Sequence, residues 1–285
     1  AVQTYIYAKT INEVVQLISD DQKSSELIAG GAAIANQVRN GFLHCEQLID
    51  ISRIAELKTV EKVEYHGQLF LKLGACLNLN VAANHLAIKN DFPLLAQALK
   101  ESSDPARRNA YTLGGRLAAK LPQGMLIPAL CALNALMVMQ SAETEKTLPV
   151  LEWLQSVPLE VPYLITAILI PYSDKPAWVI QDVKRRNLPG EIVVGVLVAA
   201  QKSAASTVQN LRVFGSVDSF GLVSFELVEN FLNGKIISSE ILQQAEELTR
   251  EQLKNNWGMD EDAAYRRRVL VALVTRCLNQ IYLAV

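Results

Sequence analysis

Two glycine pairs are the places where this chain could hold an anion: Ala29-Gly30-Gly31-Ala32-Ala33-Ile34 and Thr112-Leu113-Gly114-Gly115-Arg116. Glycine has no side chain to hold the backbone away, so a Gly pair between a strand and a helix permits a tight turn with its amides exposed. Taken alone, such a pair more often marks only a turn. Other chemistry-bearing residues are sparse. The histidines, His44, His66 and His85, form neither H-E-x-x-H nor H-x-x-x-H. The cysteines, Cys45, Cys76, Cys131 and Cys277, are at least 31 residues apart in apolar neighbourhoods, so they read as buried free thiols. No metal site and no catalytic side chain is expected. Tyr265-Arg266-Arg267-Arg268 has the look of a phosphate patch, although arginines on a helix more often form its solvated face and ion pairs. Tyr172 and Trp178 offer flat aromatic faces, and core packing suits Trp178 equally well.

Composition narrows the class. Of 285 residues, 50% are hydrophobic and 20% charged, which excludes a disordered chain. Lys plus Arg is 27 against 29 for Asp plus Glu, a net charge of −2, and no basic tract interleaves with aromatics, so nucleic acid is not an expected partner. The longest apolar stretches, 161–172 and 192–200, fall short of the ~20 residues of a membrane helix. The N-terminal residues lack a secretory pattern, and a cytoplasmic location is expected.

The elements that must position these residues follow from periodicity. TYIYA is a strand, an amphipathic helix starts near Thr10, ELIA is a second strand running into the first Gly pair, and QLIDIS at 47–52 is a third. Alternation on both sides of His66-Gly67 predicts a β-hairpin within 57–80. Residues 81–104 read as helices broken at Asp91-Phe92-Pro93. The second Gly pair reads as another turn, followed by the wholly apolar LIPALCALNALMVMQ, and the polar SAETEKTLPV acts as a separator. YLITAILI and AWVIQDVKRR are strands around a domain boundary at 171–176, EIVVGVLVAAQ and LRVFGSV are further strands, and two helices finish the chain.

Along nearly its whole length the chain resembles the FAD-binding subunit of the molybdenum hydroxylases, the group of bacterial xanthine and carbon monoxide dehydrogenases. AGGAAI at 29–34 is similar to that family's AGGTDL, and RNAYTLGGR at 108–116 to its RN-x-x-T-[IL]-GGN. Pro122 and Pro128-Ala129-Leu130-Cys131-Ala132-Leu133 match its proline and P-A-L-x-A-L segment. Lys184-Arg185-Arg186 and Ala264-Tyr265-Arg266-Arg267, with Arg276 beyond, match its C-terminal basic motifs.

The resemblance implies an α+β fold. Its FAD-binding region (1–172) would have a small parallel βα part and a larger antiparallel part, followed by a C-terminal domain (173–285) with an antiparallel sheet and helices. It implies FAD with its diphosphate against Ala29, Gly30, Gly31, Ala32, Ala33, Ile34, Thr112, Leu113, Gly114, Gly115, Arg116 and the position of Met125. It also implies a molybdopterin subunit and a 2Fe-2S subunit as electron donors, and NAD or another acceptor.

The departures are informative. Ala32 and Ala33 replace a threonine and an aspartate, Arg116 an asparagine, Met125 an aspartate and Gln181 a lysine. Each lost polar contact forfeits roughly 0.5–1.5 kcal/mol, so three or four together weaken FAD binding by a factor of about a hundred or more. Arg116 offsets part of this if its guanidinium pairs bidentately with the diphosphate, and is equally well read as a solvated or subunit-facing arginine. These replacements motivate an alternative, a flavin-fold subunit that has lost FAD and serves as a scaffold. An autonomous flavin oxidase ranks below both.

Overall fold

The computed structural model describes residues 2–284 apart from 21, 120–123, 157–160, 174, 186–190, 204–206, 219 and 255–260, and only the backbone of 261, 283 and 284. Pro122, Asp174 and Arg186 therefore lie outside the described residues. The chain forms two compact units, one of Ala1–Lys89, Asp104–Leu121 and Leu133–Tyr172, the other of Asn90–Ser103, Pro122–Ala132 and Ser173–Val285.

The first unit opens with β1 (Thr4–Tyr7), α1 (Ile11–Ile18), β2 (Ser25–Ile28), α2 (Ala32–Arg39) and β3 (Gln47–Asp50), the strands forming a parallel sheet in the order β1-β3-β2. α1 begins at Thr10 because its hydroxyl accepts from the Glu13 amide, while the Glu13 carboxylate accepts from the amide of Lys9. Side chains alternate across β3, so Ile49 packs with Val14 and Val15 of α1 while Leu48 packs with Ile34 of α2. The α1 cluster continues into Cys76 and Leu164.

After a short 3-10 turn (Ala55–Lys58) come β4 (Val60–Tyr65) and β5 (Gln68–Gly74), the expected hairpin, with φ of 49° at His66 and 76° at Gly67 as a type I′ turn requires. Six helices follow along the chain: α3 (Leu79–Asn84), α4 (Leu86–Asp91), α5 (Pro93–Glu101), α6 (Pro105–Ala110), α7 (Leu113–Ala118) and α8 (Leu126–Ala132), of which α5 and α8 belong to the second unit. Then come β6 (Leu136–Gln140), β7 (Glu145–Pro149), α9 (Val150–Gln155) and β8 (Leu164–Pro171), and the five antiparallel strands of this unit are ordered β4-β5-β8-β6-β7. One expectation is corrected here and one is refined. The polar separator contains β7, an edge strand whose solvent-facing side needs no apolar residues. The uniform apolar run divides into α8 and β6, because every residue of α8 is buried and no polar face is left to show helical period.

The second unit holds an antiparallel sheet, β9 (Ala177–Lys184), β10 (Ile192–Lys202), β11 (Val208–Val217) and β12 (Gly221–Ser224), in the order β12-β11-β10-β9. Three helices follow it: α10 (Glu226–Leu232), α11 (Ser239–Lys254) and α12 (Glu261–Ala284). Val194, Val196 and Val198, alternate residues of β10, belong to the core that Leu270, Val274, Cys277 and Ile281 of α12 complete. The fold is thus α+β, with one small parallel sheet and two antiparallel ones.

Candidate functional site

The first Gly pair lies at the C-terminal end of β2, held there by the Ile51 amide donating to the Ile28 carbonyl. Its two glycines do different work. A Cβ on Gly30 would stand 1.8 Å from the Ala110 carbonyl oxygen, so glycine is what lets this loop lie against the chain that leads to the second pair. Gly31 is the N-cap of α2 with φ 79°, and no side chain caps that helix. Its carbonyl accepts from Ala35, the first intrahelical bond, which leaves the amides of Ala32, Ala33 and Ile34 without an acceptor inside the helix. The side chain of Ile34 is buried and Ala33 is exposed. The result is a small-residue helix start with no side-chain cap, whose first amides have no acceptor inside the helix and whose dipole is positive at this end, the ordinary chemistry of phosphate binding.

The second Gly pair is not the turn that its sequence suggests. Gly114 and Gly115 lie inside α7, whose N-cap Thr112 accepts from the Gly115 amide at 3.2 Å. The Leu113 amide donates to Leu77 at 3.1 Å and the Gly114 amide to Ala75 at 2.7 Å. A Cβ on Gly114 would lie 2.7 Å from that of Ala75, so this glycine serves the close seating of α7. The amides of Leu113, Gly114 and Gly115 all have protein acceptors, and the uncapped helix start belongs to the first loop. Arg116 is buried, its guanidinium 5.1 Å over the Tyr111 ring, and burial pulls its pKa below the ordinary arginine value. The solvated reading of this arginine does not hold.

The remaining motif residues belong largely to the second unit. Met125 is fully buried, and a Cβ on Gly195 would stand 2.5 Å from its sulfur, so the methionine fills the space that this glycine leaves. Gln181 joins β9 to α12: its amide donates to Gln280 at 3.0 Å and its oxygen accepts from Arg276 at 3.3 Å. The two basic motifs converge on one carboxylate, for Arg185 lies 2.8 Å and Arg266 3.2 Å from Asp218. Ion pairing therefore accounts for Arg185 and Arg266. Replacing Asp218 with Asn leaves Arg266, whose side chain is mostly buried, without this partner, and is expected to cost about 1–2 kcal/mol in urea unfolding. An unchanged midpoint would refute that role. Trp178 is half-buried on β9, and the Lys62 ammonium sits 4.9 Å over the Tyr172 ring in the first unit.

One cluster has no counterpart in the motif reading. At the C-terminal ends of β1 and β3, the Tyr5 hydroxyl donates to Asp50 at 2.8 Å, and Arg53 stacks over Tyr7 at 4.2 Å. The bond to Asp50, with burial, pushes the Tyr5 phenol up to about 12. Burial alone would raise the Asp50 carboxyl, but hydrogen bonds from Ser52 and Tyr5 outweigh it and hold the group below its usual value. Asp50 is the fourth residue of the predicted strand QLIDIS and the last of β3, and a carboxylate inside an otherwise buried strand was the available signal. The four cysteines are free and buried. Among the described residues no group of three or more His, Cys, Asp or Glu side chains could hold a metal ion, and no helix is long and apolar enough to cross a membrane.

A parallel βα region with an uncapped, glycine-opened helix, built against a larger antiparallel sheet, defines a nucleotide-binding type of α+β chain. Comparison makes this specific. Residues 1–173 match the family of the FAD binding domain in molybdopterin dehydrogenase, and residues 191–281 that of the CO dehydrogenase flavoprotein C-terminal domain. The chain belongs to this family, the FAD-binding medium subunits of the molybdenum hydroxylases. It is 26% identical to the carbon monoxide dehydrogenase medium chain of Hydrogenophaga pseudoflava, over 96% of this chain and 95% of that one. It is 22% identical to the glyceraldehyde dehydrogenase medium chain of Sulfolobus acidocaldarius, over 98% of each. In fold it is similar to a solved carbon monoxide dehydrogenase from Hydrogenophaga pseudoflava that lacks the Mo-pyranopterin moiety, with a TM-score of 0.85 at 24% identity, over 98% of this chain and 96% of that one.

Proposed function

We propose that this chain carries electrons: as the flavoprotein subunit of a cytoplasmic molybdenum-containing dehydrogenase, it takes them from a 2Fe-2S subunit supplied by a molybdopterin subunit and passes them to an acceptor such as NAD. The observation that supports this reading is the uncapped helix start at Gly31, with the amides at 32–34 lacking an acceptor inside the helix, in a chain whose family is FAD-binding. Bound FAD supplies the redox chemistry, accepting electrons singly and releasing a hydride.

What the chain itself contributes is binding and placement. The residues present fit a diphosphate at the first loop: Gly30 and Gly31 keep the backbone close, the amides of Ala32, Ala33 and Ile34 donate, and the helix dipole favours the negative charge. Alanine at 32 and 33 contributes no side-chain hydrogen bond, so binding here rests on backbone groups. The segment Leu113–Arg116, pinned to Leu77 and Ala75, acts as a fixed wall: its amides are committed to the protein, and its buried Arg116 supplies positive charge.

The test is the absorption spectrum of the purified chain, followed by calorimetric titration with FAD. Flavin absorption or saturable one-to-one binding is the expected result. A well-folded, colourless chain that ignores excess FAD would overturn the proposal and return the scaffold reading.

A further inference from the structure

The outer surface of the second unit carries a groove of about 650 Å³ between α11 and α12 that the proposed function does not use. Ala272 and Thr275 line it together with Arg250, Arg268 and Arg276, and Glu246 is the carboxylate among them. Glu246 is already engaged: Arg250 pairs with it at 2.5 Å, and the Thr275 hydroxyl donates to it at 3.2 Å. Glu247 and Glu251 of α11 do not line the groove. Arg268 donates only to the Ala264 carbonyl of its own helix and Arg276 to the neutral Gln181, so among the described residues no carboxylate pairs with either. Two guanidinium charges thus stand beside a concave surface on a chain whose net charge is −2.

The groove lies midway along a continuous exposed stripe of α12. Tyr265, Arg268, Ala272, Arg276, Asn279 and Tyr282 follow one another at helical spacings of three and four, and all are exposed. At 1.5 Å per residue the stripe is about 25 Å long, with the two free-facing arginines about 12 Å apart. Tyr265 is 52% and Tyr282 47% exposed, a large apolar area to leave in water at both ends of a charged centre. Tyrosine and arginine are the residue types enriched where proteins meet, and lysine, which is depleted there, is absent from the groove. Arginine also matches a carboxylate with two parallel hydrogen bonds, which lysine does not.

We infer that this stripe is a docking surface for an acidic segment of a separate polypeptide, with Arg268 and Arg276 each taking a carboxylate and Tyr265 and Tyr282 closing over its ends. Ala272 keeps the space between the arginines open. The assignment does not depend on FAD, because none of these residues belongs to the Gly loops.

Binding of fluorescein-labelled octaglutamate to the full chain, followed by anisotropy, tests it. Saturable binding is expected at about 50 mM salt, falling as salt is raised. The double variant Arg268→Gln/Arg276→Gln should weaken it about tenfold or more. Ala272→Glu, which puts a carboxylate into the groove at an exposed position that favours helix, should do the same. Circular dichroism and an unchanged FAD titration identify both variants as folded and separate this result from that of the flavin reading. The inference is overturned if octaglutamate does not bind the wild type, if either variant binds it as the wild type does, or if inorganic phosphate occupies the groove and octaglutamate cannot displace it.

Discussion

Gly30→Ala destabilises the chain by about 3 kcal/mol and weakens FAD binding with it, the largest effect expected of any one-methyl change in the Gly loops. The added Cβ would stand 1.8 Å from the Ala110 oxygen and 2.9 Å from its carbon, and both are backbone atoms that no rotamer change moves aside. Relief requires the first loop and the end of α6 to separate, which displaces the start of α2 and with it the amides at 32–34. Gly31→Ala provides the contrast. There the cost is conformational, about 1–2 kcal/mol for an L-residue at φ 79°, and the nearest atom, at 3.6 Å, is the tip of the Ile28 side chain. Gly41→Ala, with φ 70° and nothing within 4 Å, isolates that conformational cost away from the loop. Urea unfolding of the three variants with parallel FAD titration should give losses largest for Gly30. A Gly30 variant no less stable than the Gly31 variant would refute the close approach to Ala110.

How much of this was legible beforehand depends on whether the determinant is local. The parallel region was readable because Thr10, the Gly pair and the short apolar segments TYIYA, ELIA and QLIDIS each act within a few residues, and the hairpin because alternation flanks a turn at His66-Gly67. The second Gly pair misled because the reason for Gly114 is Ala75, 39 residues earlier, and no local pattern distinguishes a glycine needed for a turn from one needed for close packing. The same holds for Arg116: its burial against Tyr111 comes from the way α7 is seated and not from its neighbours in sequence. Asp218, where Arg185 and Arg266 meet, has nothing in Ser216-Val217-Asp218 to mark it, since its partners come from the end of β9 and the start of α12. Apolar segments announce burial without saying against what, and so 90–103 and 122–132 gave no sign of belonging with the C-terminal unit.

Glu229→Ala is the second large effect, about 2–4 kcal/mol, and its partner variant Glu229→Gln carries a pH signature. Glu229 of α10 is buried, accepts from the Val213 amide at 2.7 Å and lies 3.6 Å from Arg212. Alanine would leave the Val213 amide in the core without its acceptor and remove the carboxylate beside Arg212. Glutamine keeps an oxygen for the amide and discards the titration. Burial pushes the Glu229 carboxyl above its ordinary value, against the pull of the Val213 bond and Arg212. A carboxyl whose pKa is raised on folding stabilises fully below its unfolded pKa, about 4.3, and that contribution is lost as pH rises through the raised folded value. Relative to the wild type, Glu229→Gln should therefore gain stability as pH rises from about 4.3 through the raised folded value. Urea unfolding of both proteins across that range measures it, and a difference that stays constant or moves the other way would mean that Arg212 and the Val213 amide hold the carboxylate charged in spite of its burial.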